Sequence, residues 1–503
     1  MTSVSKSSVT QSLSVQSRTG QDAPPPQPSG QPVTGFSPED SSDCSPARKI
    51  NVMAPLLVGD PKAPDSERSR AEFAAFEAML REAKEAGVQA VSTDVWWGLV
   101  EPKDGTFDFS HYDRIADAIE RAGLKWTPIL SFHQCGGNVG DSVDIPIPSY
   151  LRQKYARLSS DGEASAFCKS EQGNVCYEAI SPFASEFALK DYRALMEAFL
   201  EHFAPRSKNI SEVNISLGPA GELRYPSYNS HDKGTDYPSR GALQSYSTLA
   251  KNSFREFVLD RYSTLEEAGE AWNTKLSDTK DIRPPDDAQA FFDRGDDKHT
   301  TYGRDFFDWY HQTLLDHGAR LVETAQSVFH RKDSAFSSIP LGAKCAGVHW
   351  RIGSDRAAEL AAGLIPSRAL TPGRLPGSEY DSLVKQFAAL DARTETPLIL
   401  HFTCLEKADK GDERPASLVR WVGESATRHG VPLSGENALP MSYEGPDGWN
   451  RVEDALERLY DGITILRLPL ADSAKAGLHG LTRRYIDACD AGVRSALTGD
   501  RSP

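Results

Sequence analysis

The sequence predicts an α/β protein built on a single (β/α)8 TIM barrel with long βα loops and a disordered N-terminal leader. Two observations lead to this prediction. Strand-like and helix-like segments alternate from Ile50 onward and make eight strand–helix units, the number that such a barrel requires. Polar, charged and aromatic residues collect at or just after the predicted strand ends, where the loops of a barrel carry function.

The predicted elements follow one another in a regular order. Gly87 and Gly123 close the first two helices, and glycine is the usual residue just past a helix C-terminus. A long insertion, 219–300, carries further helical stretches at about 241–260 and 264–274. The barrel strands are predicted at 51–58, 88–96, 125–133, 212–217, 341–350, 397–404, 431–438 and 462–468, and the helices at 70–86, 112–122, 183–203, 306–329, 380–391, 416–429, 452–460 and 478–496.

The composition is that of an ordinary globular chain, since 39% of its 503 residues are hydrophobic and 25% are charged. The net charge of −15 repels phosphate backbones, which argues against a nucleic-acid partner. No apolar run approaches the roughly 20 residues that a membrane-spanning helix needs, so we expect no membrane partner. A monomer is the default expectation for the oligomeric state.

Seven cysteines are too few and too scattered for a disulfide framework, although Cys168 and Cys176 are close enough in sequence to bridge a loop. The chain contains no Cys-x-x-Cys pair and no His-x-x-x-His spacing. Local spacing therefore predicts no metal site, and we expect no cofactor.

Residues 1–48 differ in composition from the rest of the chain. They are rich in Ser, Gln, Thr and Pro and contain few large apolar side chains, so we predict a disordered leader over 1–48 and one catalytic barrel over 49–500. The leader lacks the apolar stretch of a secretory signal. The location therefore stays open between secreted and cytoplasmic, with a transit peptide as a further alternative.

Two glutamates are the strongest candidates for chemistry. Glu222 lies in the segment 218–228, and Glu436 lies in the segment 435–440; each follows an alternating strand pattern. Two carboxyl groups in one cleft are what glycosidic bond hydrolysis uses, because one protonates the leaving oxygen while the other activates water or attacks the sugar. Taken singly, Glu222 could be a surface-loop residue paired with Arg224, and Glu436 a strand-end cap. Arg224 and Tyr225 are near enough in sequence to orient a carboxyl group or a sugar.

Other strand ends carry side chains suited to sugar recognition. Asp94 can accept hydroxyl hydrogen bonds, and the adjacent Trp96 and Trp97 can stack on sugar rings, although we expect one of the two tryptophans in the core. The stretch 136–141 is glycine-rich but precedes no helix, so it does not fit a phosphate loop. A mobile lid with Asp141 at its tip is the functional interpretation, and a flexible surface loop is the alternative.

The remaining candidates are donors and loop residues further along the chain. His133, His349 and Lys344 could donate to sugar hydroxyls, although a single histidine is more often a satisfied, partly buried group. Thr403 precedes a polar run, 406–414, which is either a second loop over the cleft or a solvated face.

These segments together give the chain a resemblance to a known family. The sequence resembles the β-amylases of glycoside hydrolase family 14 over about 50–470, and it resembles the bacterial branch more closely than the plant one. The matching stretches are Asp94-Val-Trp-Trp-Gly, Ser131-Phe-His-Gln-Cys-Gly-Gly-Asn-Val-Gly-Asp, Ile145-Pro-Ile-Pro, Gly218-Pro-Ala-Gly-Glu-Leu-Arg-Tyr-Pro-Ser-Tyr, Gly347-Val-His-Trp, Phe402-Thr-Cys-Leu-Glu and Gly435-Glu-Asn-Ala-Leu.

The resemblance implies an inverting exo-hydrolase that releases β-maltose from the non-reducing ends of α-1,4-glucans such as starch and glycogen. It implies Glu222 as the general acid and Glu436 as the general base. It places the lid at 136–143 and Leu439 where the family has a residue that wedges into the bound chain. The sugar-binding positions that the resemblance implies are Asp94, His133, Asp141, Lys344, His349, Thr403, Asn437, Ala438 and Arg467.

The resemblance also raises the question of a structural calcium, which some bacterial members hold. Glu101, Asp104 and Asp191 lie near the corresponding stretches, but Ala194 stands where a further carboxylate is expected.

Two alternatives from other classes remain open at this stage. One is a catalytically weak, glucan-sensing or regulatory protein on the same scaffold, against which the presence of the acid, base and lid residues argues. The other is a different barrel glycosidase, endo-acting or retaining, whose two carboxyl groups would lie about 5–5.5 Å apart instead of about 6.5–9.5 Å.

Overall fold

The computed structural model describes residues 48–137, 140–370 and 377–487. The predicted leader lies outside these residues except for its last position, and so does the part of the last predicted helix beyond residue 487. Within the described residues, no helix combines the length and apolar character that crossing a bilayer requires.

Parallel strands form a closed barrel, which confirms the predicted fold class. Eight strands of the described residues make the ring, in the order β4-β3-β2-β1-β8-β7-β6-β5, and pairing of β4 with β5 closes it. Their bounds are β1 (Lys49–Met53), β2 (Ala90–Trp96), β3 (Lys125–Ser131), β4 (Val213–Ile215), β5 (Leu341–Cys345), β6 (Leu398–Phe402), β7 (Leu433–Glu436) and β8 (Gly462–Ile465).

One long helix follows each barrel strand and packs its apolar face on the barrel. In the first helix, Phe73, Phe76, Leu80 and Ala83 are buried at the spacing of one helical face, and Ser66 caps the N-terminus by accepting a hydrogen bond from the backbone N–H of Ser69. The helices are α1 (Glu67–Glu85), α2 (Ser110–Arg121), α3 (Ser185–Phe203), α4 (Thr301–Phe329), α5 (Asp381–Asp391), α6 (Pro415–His429), α7 (Gly445–Arg458) and α8 (Asp472–Thr482).

Several βα loops carry structure of their own, and those after β3 and β4 are two examples. The loop after β3 contains a short antiparallel hairpin, Cys168–Lys169 with Val175–Cys176. The insertion after β4 contains the predicted helical stretches as two helices, Thr248–Tyr262 and Leu265–Trp272. These loops lie on the side of the barrel where the strands end.

Several barrel strands are shorter than the sequence predicts. The stretch 341–350 was expected to be one strand, but β5 ends at Cys345. The alternating apolar residues beyond Cys345 suggested a longer strand. They are Ala346, Val348 and Trp350, which are buried in a loop and do not pair in the sheet. Burial of a loop and burial of a strand give the same pattern of apolar residues, and the sequence cannot separate them.

The sequence predicts Glu222 at the C-terminal end of a strand. In the structure Glu222 instead begins a short second segment that pairs with the same neighbour, β5, after a break in β4. β4 pairs with β5 up to Ile215 opposite Ala343, and the chain then leaves the sheet for residues 216–221. It returns with the short strand Glu222–Leu223, which pairs with Lys344 and Cys345. The backbone of Glu222 is therefore fixed in the sheet directly beside Lys344.

Candidate active site

A cavity of about 820 Å³ opens at the carboxyl ends of the barrel strands. Residues from strand ends and βα loops around the ring contribute to its wall, as the location of function in a barrel predicts. The structure brings together in this one cavity all of the site residues that the sequence predicts: Asp94, His133, Asp141, Glu222, Lys344, His349, Thr403, Glu436, Asn437, Ala438, Leu439 and Arg467.

A tight turn presents Glu222 to the cavity. Ala220 and Gly221 both have positive φ, and a side chain at Gly218 would collide with the carbonyl oxygen of Glu222. The Glu222 side chain is 14% exposed, and its Oε2 accepts a hydrogen bond from Arg224 Nε at 2.9 Å. The turn thus brings the carboxyl group to the cleft wall with one oxygen already held.

Arg224 and Tyr225 lie in different environments, although the sequence predicts for both a role in orienting a carboxyl group or a sugar. The Arg224 guanidinium is buried beneath Glu222. Burial opposes its charge, yet Tyr228, Glu222 and Glu178 raise the pKa of Arg224 above its ordinary value. Tyr225 instead packs in the core, where its hydroxyl donates to the carbonyl of Tyr310 at 3.1 Å, so it does not face a ligand.

Glu436 is the last residue of β7, and its carboxylate is held by a lysine. Lys344 Nζ donates to Glu436 Oε1 at 2.7 Å, and the Glu436 side chain is only 6% exposed. Burial disfavours the ammonium, but Glu436, Glu222 and Asp94 together raise the pKa of Lys344. The lysine is therefore the positive charge at the centre of three carboxyl groups.

Asp94 faces the cavity from β2. Its Oδ1 accepts a hydrogen bond from Ser131 Oγ at 2.9 Å. Burial raises the pKa of Asp94, Glu436 raises it further, and Arg467, Ser131 and Lys344 lower it. Arg467, just past β8, is oriented by donating from Nη1 to the carbonyl of Ala54 at 3.0 Å. The two side chains supply an acceptor and a donor to the same wall.

His133 is a neutral hydrogen-bonding group. Burial, with Lys344 and Arg224 nearby, lowers the pKa of His133 to about 3. Its Nδ1 lies 2.8 Å from Ser216 Oγ, and its ring meets that of Trp96 edge-to-face. Trp96 lines the cavity, whereas Trp97 is fully buried and donates from Nε1 to Glu101. Trp96 is also almost fully buried, in a small apolar cluster of its own, so the structure buries both tryptophans and not just one of them.

His349 and Thr403 are joined through the loop after β5. His349 Nδ1 donates to the carbonyl of Gly347 at 2.8 Å, which leaves Nε2 to accept from Lys407 Nζ at 2.7 Å. Burial and the Lys407 charge lower the pKa of His349 to about 4. Thr403 Oγ1 accepts from the backbone N–H of Gly347 at 3.0 Å.

The segment 437–439 is anchored by a residue whose role the sequence leaves open. Glu406 is completely buried, and its carboxylate accepts from the backbone N–H groups of Ala438 and Leu439, the latter at 2.9 Å. Asn437 completes the anchor by donating to the carbonyl of Leu439 at 2.7 Å. Glu406 therefore does not belong to a solvated face, which was one interpretation of the run 406–414.

Asp141 folds back onto the base of the predicted lid. Its Oδ2 accepts from the backbone N–H of Gly136 at 2.8 Å. Gly136, Gly137 and Gly140 all have φ values in the region that favours glycine. Residues 138–139 of the lid lie outside the described residues.

His401 is a cavity residue that the sequence analysis did not single out. It lies on β6, and its Nε2 is 2.6 Å from Glu212 Oε1. Burial raises the pKa of Glu212, but His401 and Lys49 more than offset this and leave it lowered. The available signal was a single polar residue inside an otherwise apolar strand, since β6 reads Leu-Ile-Leu-His-Phe.

The carboxylates for which the resemblance raises the question of calcium are paired with a lysine. Lys154 Nζ donates to Asp104 Oδ1 at 2.7 Å and to Asp191 Oδ1 at 2.8 Å. The hydroxyl of Tyr155 also donates to Asp191, and Glu101 accepts from Trp97. An ammonium between two carboxylates takes the place that a hard cation would need, so these residues do not fit calcium.

The fold and the cavity together define a class of protein. A parallel barrel whose cleft brings two glutamates together with further polar and charged side chains and Trp96 is an architecture found in glycoside hydrolases. Residues 57–474 match the family described as glycosyl hydrolase family 14. The chain belongs to glycosyl hydrolase family 14, the family of the β-amylases.

Individual relatives agree with this assignment. The chain is 39% identical to a β-amylase of Bacillus cereus, over 84% of this chain and 71% of that protein. It is 33% identical to the chloroplastic β-amylase 2 of Oryza sativa, over 73% of this chain and 64% of that protein. It also matches a β/α-amylase of Paenibacillus polymyxa at 38% identity, but spans only 31% of that protein's length.

A solved structure supports the same family. The crystal structure of the catalytic domain of β-amylase from Paenibacillus polymyxa superimposes with a TM-score of 0.74 at 36% identity, covering 88% of this chain and 99% of that domain. The bacterial relatives are thus more similar than the plant one, as the sequence resemblance implies.

Proposed function

We propose that this cleft hydrolyses α-1,4-glucosidic bonds from the non-reducing ends of starch, glycogen and related glucans, with inversion and release of β-maltose. The observation that carries the proposal is the pairing of the two glutamates with different cations in one cavity. Glu222 is held through one oxygen by Arg224, and Glu436 is held by Lys344. The substrate class follows from the family and its β-amylase relatives.

In this proposal Glu436 is the general base. The contact with Lys344 stabilises the negative charge that a base needs, and it fixes one oxygen so that the other can face a water molecule. Glu436 removes a proton from that water as the water attacks the anomeric carbon. In an inverting enzyme the water attacks from the face opposite to the leaving group, so the product is the β-anomer.

Glu222 is the general acid of the proposal. Arg224 holds Oε2, which leaves Oε1 to carry a proton toward the glycosidic oxygen. The charge of Arg224 is shared, because Glu178 acts on the same guanidinium. The proton passes to the leaving oxygen as the glycosidic bond breaks.

The other cavity residues bind the glucan in this proposal. Asp94 accepts hydroxyl hydrogen bonds, Arg467 and Lys344 donate them, and His133 and His349 do either. Neutral imidazoles can do both, which suits sugar hydroxyls. Thr403, Asp141 and the anchored segment 437–439 complete the wall around the reacting sugar units.

The test is time-resolved proton NMR of the anomeric signals while the purified protein acts on soluble starch. We expect β-maltose as the initial product, and a fall in kcat of about 10²–10⁴-fold in Glu222→Gln and in Glu436→Gln. Glu359→Gln is the matched control, because Glu359 is also buried against an arginine but lies outside the cavity.

Other outcomes separate the alternatives. An α-anomeric product would reject inversion, and mixed longer oligosaccharides would reject exo-attack. Binding of starch without turnover by the unmodified chain would favour the glucan-sensing alternative.

A further inference from the structure

A second cluster of chemically reactive side chains lies outside the set of residues that line the cavity. Among the described residues, Cys176, Glu178 and His231 are the group whose ligand atoms converge, all within 4.8 Å of one another. Cys176 and Glu178 are buried, whereas His231 is exposed, so one side of the cluster is open to solvent. The thiol of Cys176 is free, and so is that of its hairpin neighbour Cys168.

The cluster is built on backbone that is held in place before any ligand arrives. The N–H of His231 donates to Asn229 Oδ1 at 2.6 Å, and its carbonyl accepts from Asn174 Nδ2 at 3.0 Å. Asn174 also donates to Asp232 Oδ1 at 2.9 Å. These bonds join the hairpin strand that carries Cys176 to the loop that carries His231.

We propose that Cys176, Glu178 and His231 bind a divalent transition metal ion, with zinc as the best match, and that the bound ion inhibits hydrolysis through Glu178 and Arg224. A thiolate, an imidazole and a carboxylate are the ligands that zinc takes in proteins, usually in a tetrahedron whose fourth position is water. The exposed side of the cluster supplies that position. As sulfur binds the ion, the thiol proton passes to solvent.

The geometry needs only a small closing movement. Metal–ligand bonds of about 2.0–2.3 Å place tetrahedral ligand atoms roughly 3.5 Å apart. The ligand atoms of the cluster already lie within 4.8 Å of one another, so each pair needs to close by only about 1 Å at most. The exposed imidazole of His231 can make this movement by side-chain rotation, because only its backbone is hydrogen-bonded in the contacts described above.

The connection to the cleft runs through one arginine. Glu178 and Glu222 share the charge of Arg224. An ion that draws on the Glu178 carboxylate leaves the guanidinium to Glu222 alone, so Arg224 holds the Glu222 carboxyl group more tightly and away from the glycosidic oxygen. This step depends on the proposed role of Glu222 as the general acid, whereas metal binding itself does not.

The experiment uses the full chain, freed of metal by dialysis against a chelator and titrated with zinc chloride by calorimetry. We expect one zinc ion per chain. His231→Gln should weaken zinc binding by at least roughly 10–100-fold, because replacing even an outer-shell partner of a metal ligand costs that much. The matched controls are His299→Gln, at an exposed histidine elsewhere, and Cys168→Ser, at the other buried cysteine of the hairpin. Both should bind zinc as the unmodified chain does.

Cobalt(II) identifies the sulfur ligand. The unmodified chain should give a thiolate-to-cobalt charge-transfer band, which Cys176→Ser should lose. His231→Gln keeps the test decisive if Cys176→Ser does not fold, because His231 is on the surface. Equal zinc affinity in His231→Gln, or a cobalt spectrum without the charge-transfer band in the unmodified chain, would overturn the site.

Activity on soluble starch tests the connection. Zinc should lower kcat in the unmodified chain and in both controls, and His231→Gln should need at least about tenfold more zinc for the same loss. Zinc binding without a fall in kcat would overturn the connection through Arg224. Zinc binding by a chain that does not hydrolyse starch at all would overturn the proposed function, and the inhibition with it, while confirming the metal site.

Discussion

Lys344 contacts both glutamates of the cleft, Glu222 through its backbone and Glu436 through its side chain. Its backbone pairs with Glu222 in the sheet, and its side chain reaches across the barrel end to donate to Glu436 at 2.7 Å. One residue thus sets the position of one carboxyl group through the β-ladder and of the other through an ion pair. The spacing between the two carboxyl groups depends on this residue.

The first prediction concerns that lysine. Lys344→Met should lower kcat on soluble glucan by roughly a hundredfold or more, because Glu436 loses the cation that fixes and stabilises its carboxylate. Lys344→Arg should lose less, since it keeps the charge but changes the geometry. Steady-state kinetics with both variants measure the effect. Unchanged kcat in Lys344→Met would mean that the ion pair is only structural.

The second prediction concerns Glu406. Glu406→Gln should destabilise the fold by about 1–3 kcal/mol, because one amide oxygen replaces two carboxylate oxygens as the acceptor for backbone N–H groups in a buried site. Loosening of the segment 437–439 should raise KM for maltooligosaccharides more than it lowers kcat. Urea unfolding and kinetics measure the two effects. The exposed Glu395→Gln is the control and should change neither.

Most of the fold could be predicted from the sequence, because alternating strands and helices with glycine ends are local patterns. The first six barrel helices lie close to their predicted positions, whereas α7 and α8 both begin earlier than predicted. The two glutamate candidates line one cavity. The role of Glu406 could not be predicted, because its partners are backbone N–H groups that the fold alone brings near. The interruption and return of strand β4 around Glu222 was missed for a similar reason, since its evidence is a pairing with Lys344 in another strand.

The third prediction concerns pH and a buried histidine. His317 is buried in α4 and donates from Nε2 to the carbonyl of Leu217 at 2.7 Å. Burial lowers its pKa to about 4, against an ordinary value of 6.5. Between these pKa values the unfolded chain binds a proton that the folded chain does not, so stability falls as pH falls. The contribution of this one group between pH 7 and pH 5 is about 2 kcal/mol.

His317→Gln removes this titration but keeps a side-chain amide that can donate to Leu217. The free energy of unfolding of the variant should therefore fall by about 2 kcal/mol less between pH 7 and pH 5 than that of the unmodified chain. Urea unfolding at the two pH values gives the comparison. The same pH dependence in both proteins would mean that His317 is protonated in the folded state.

The fourth prediction concerns calcium. Because Lys154 lies between Asp104 and Asp191, a calcium-selective chelator should leave the Tm and the activity unchanged, and added calcium should raise neither. Lys154→Ala should lower the free energy of unfolding by about 1–3 kcal/mol, because Asp191 is buried and loses its cation. Thermal unfolding with and without calcium tests both statements. A rise in Tm with calcium in the unmodified chain would contradict the first.

Closure of the barrel protects the strands from pairing with other chains. Within the described residues, each of the eight ring strands has a partner on both sides, so the ring offers no open edge on which another chain could continue the ladder. The ring can therefore tolerate changes in length and sequence in the loops that build the cleft without exposing a surface that seeds aggregation.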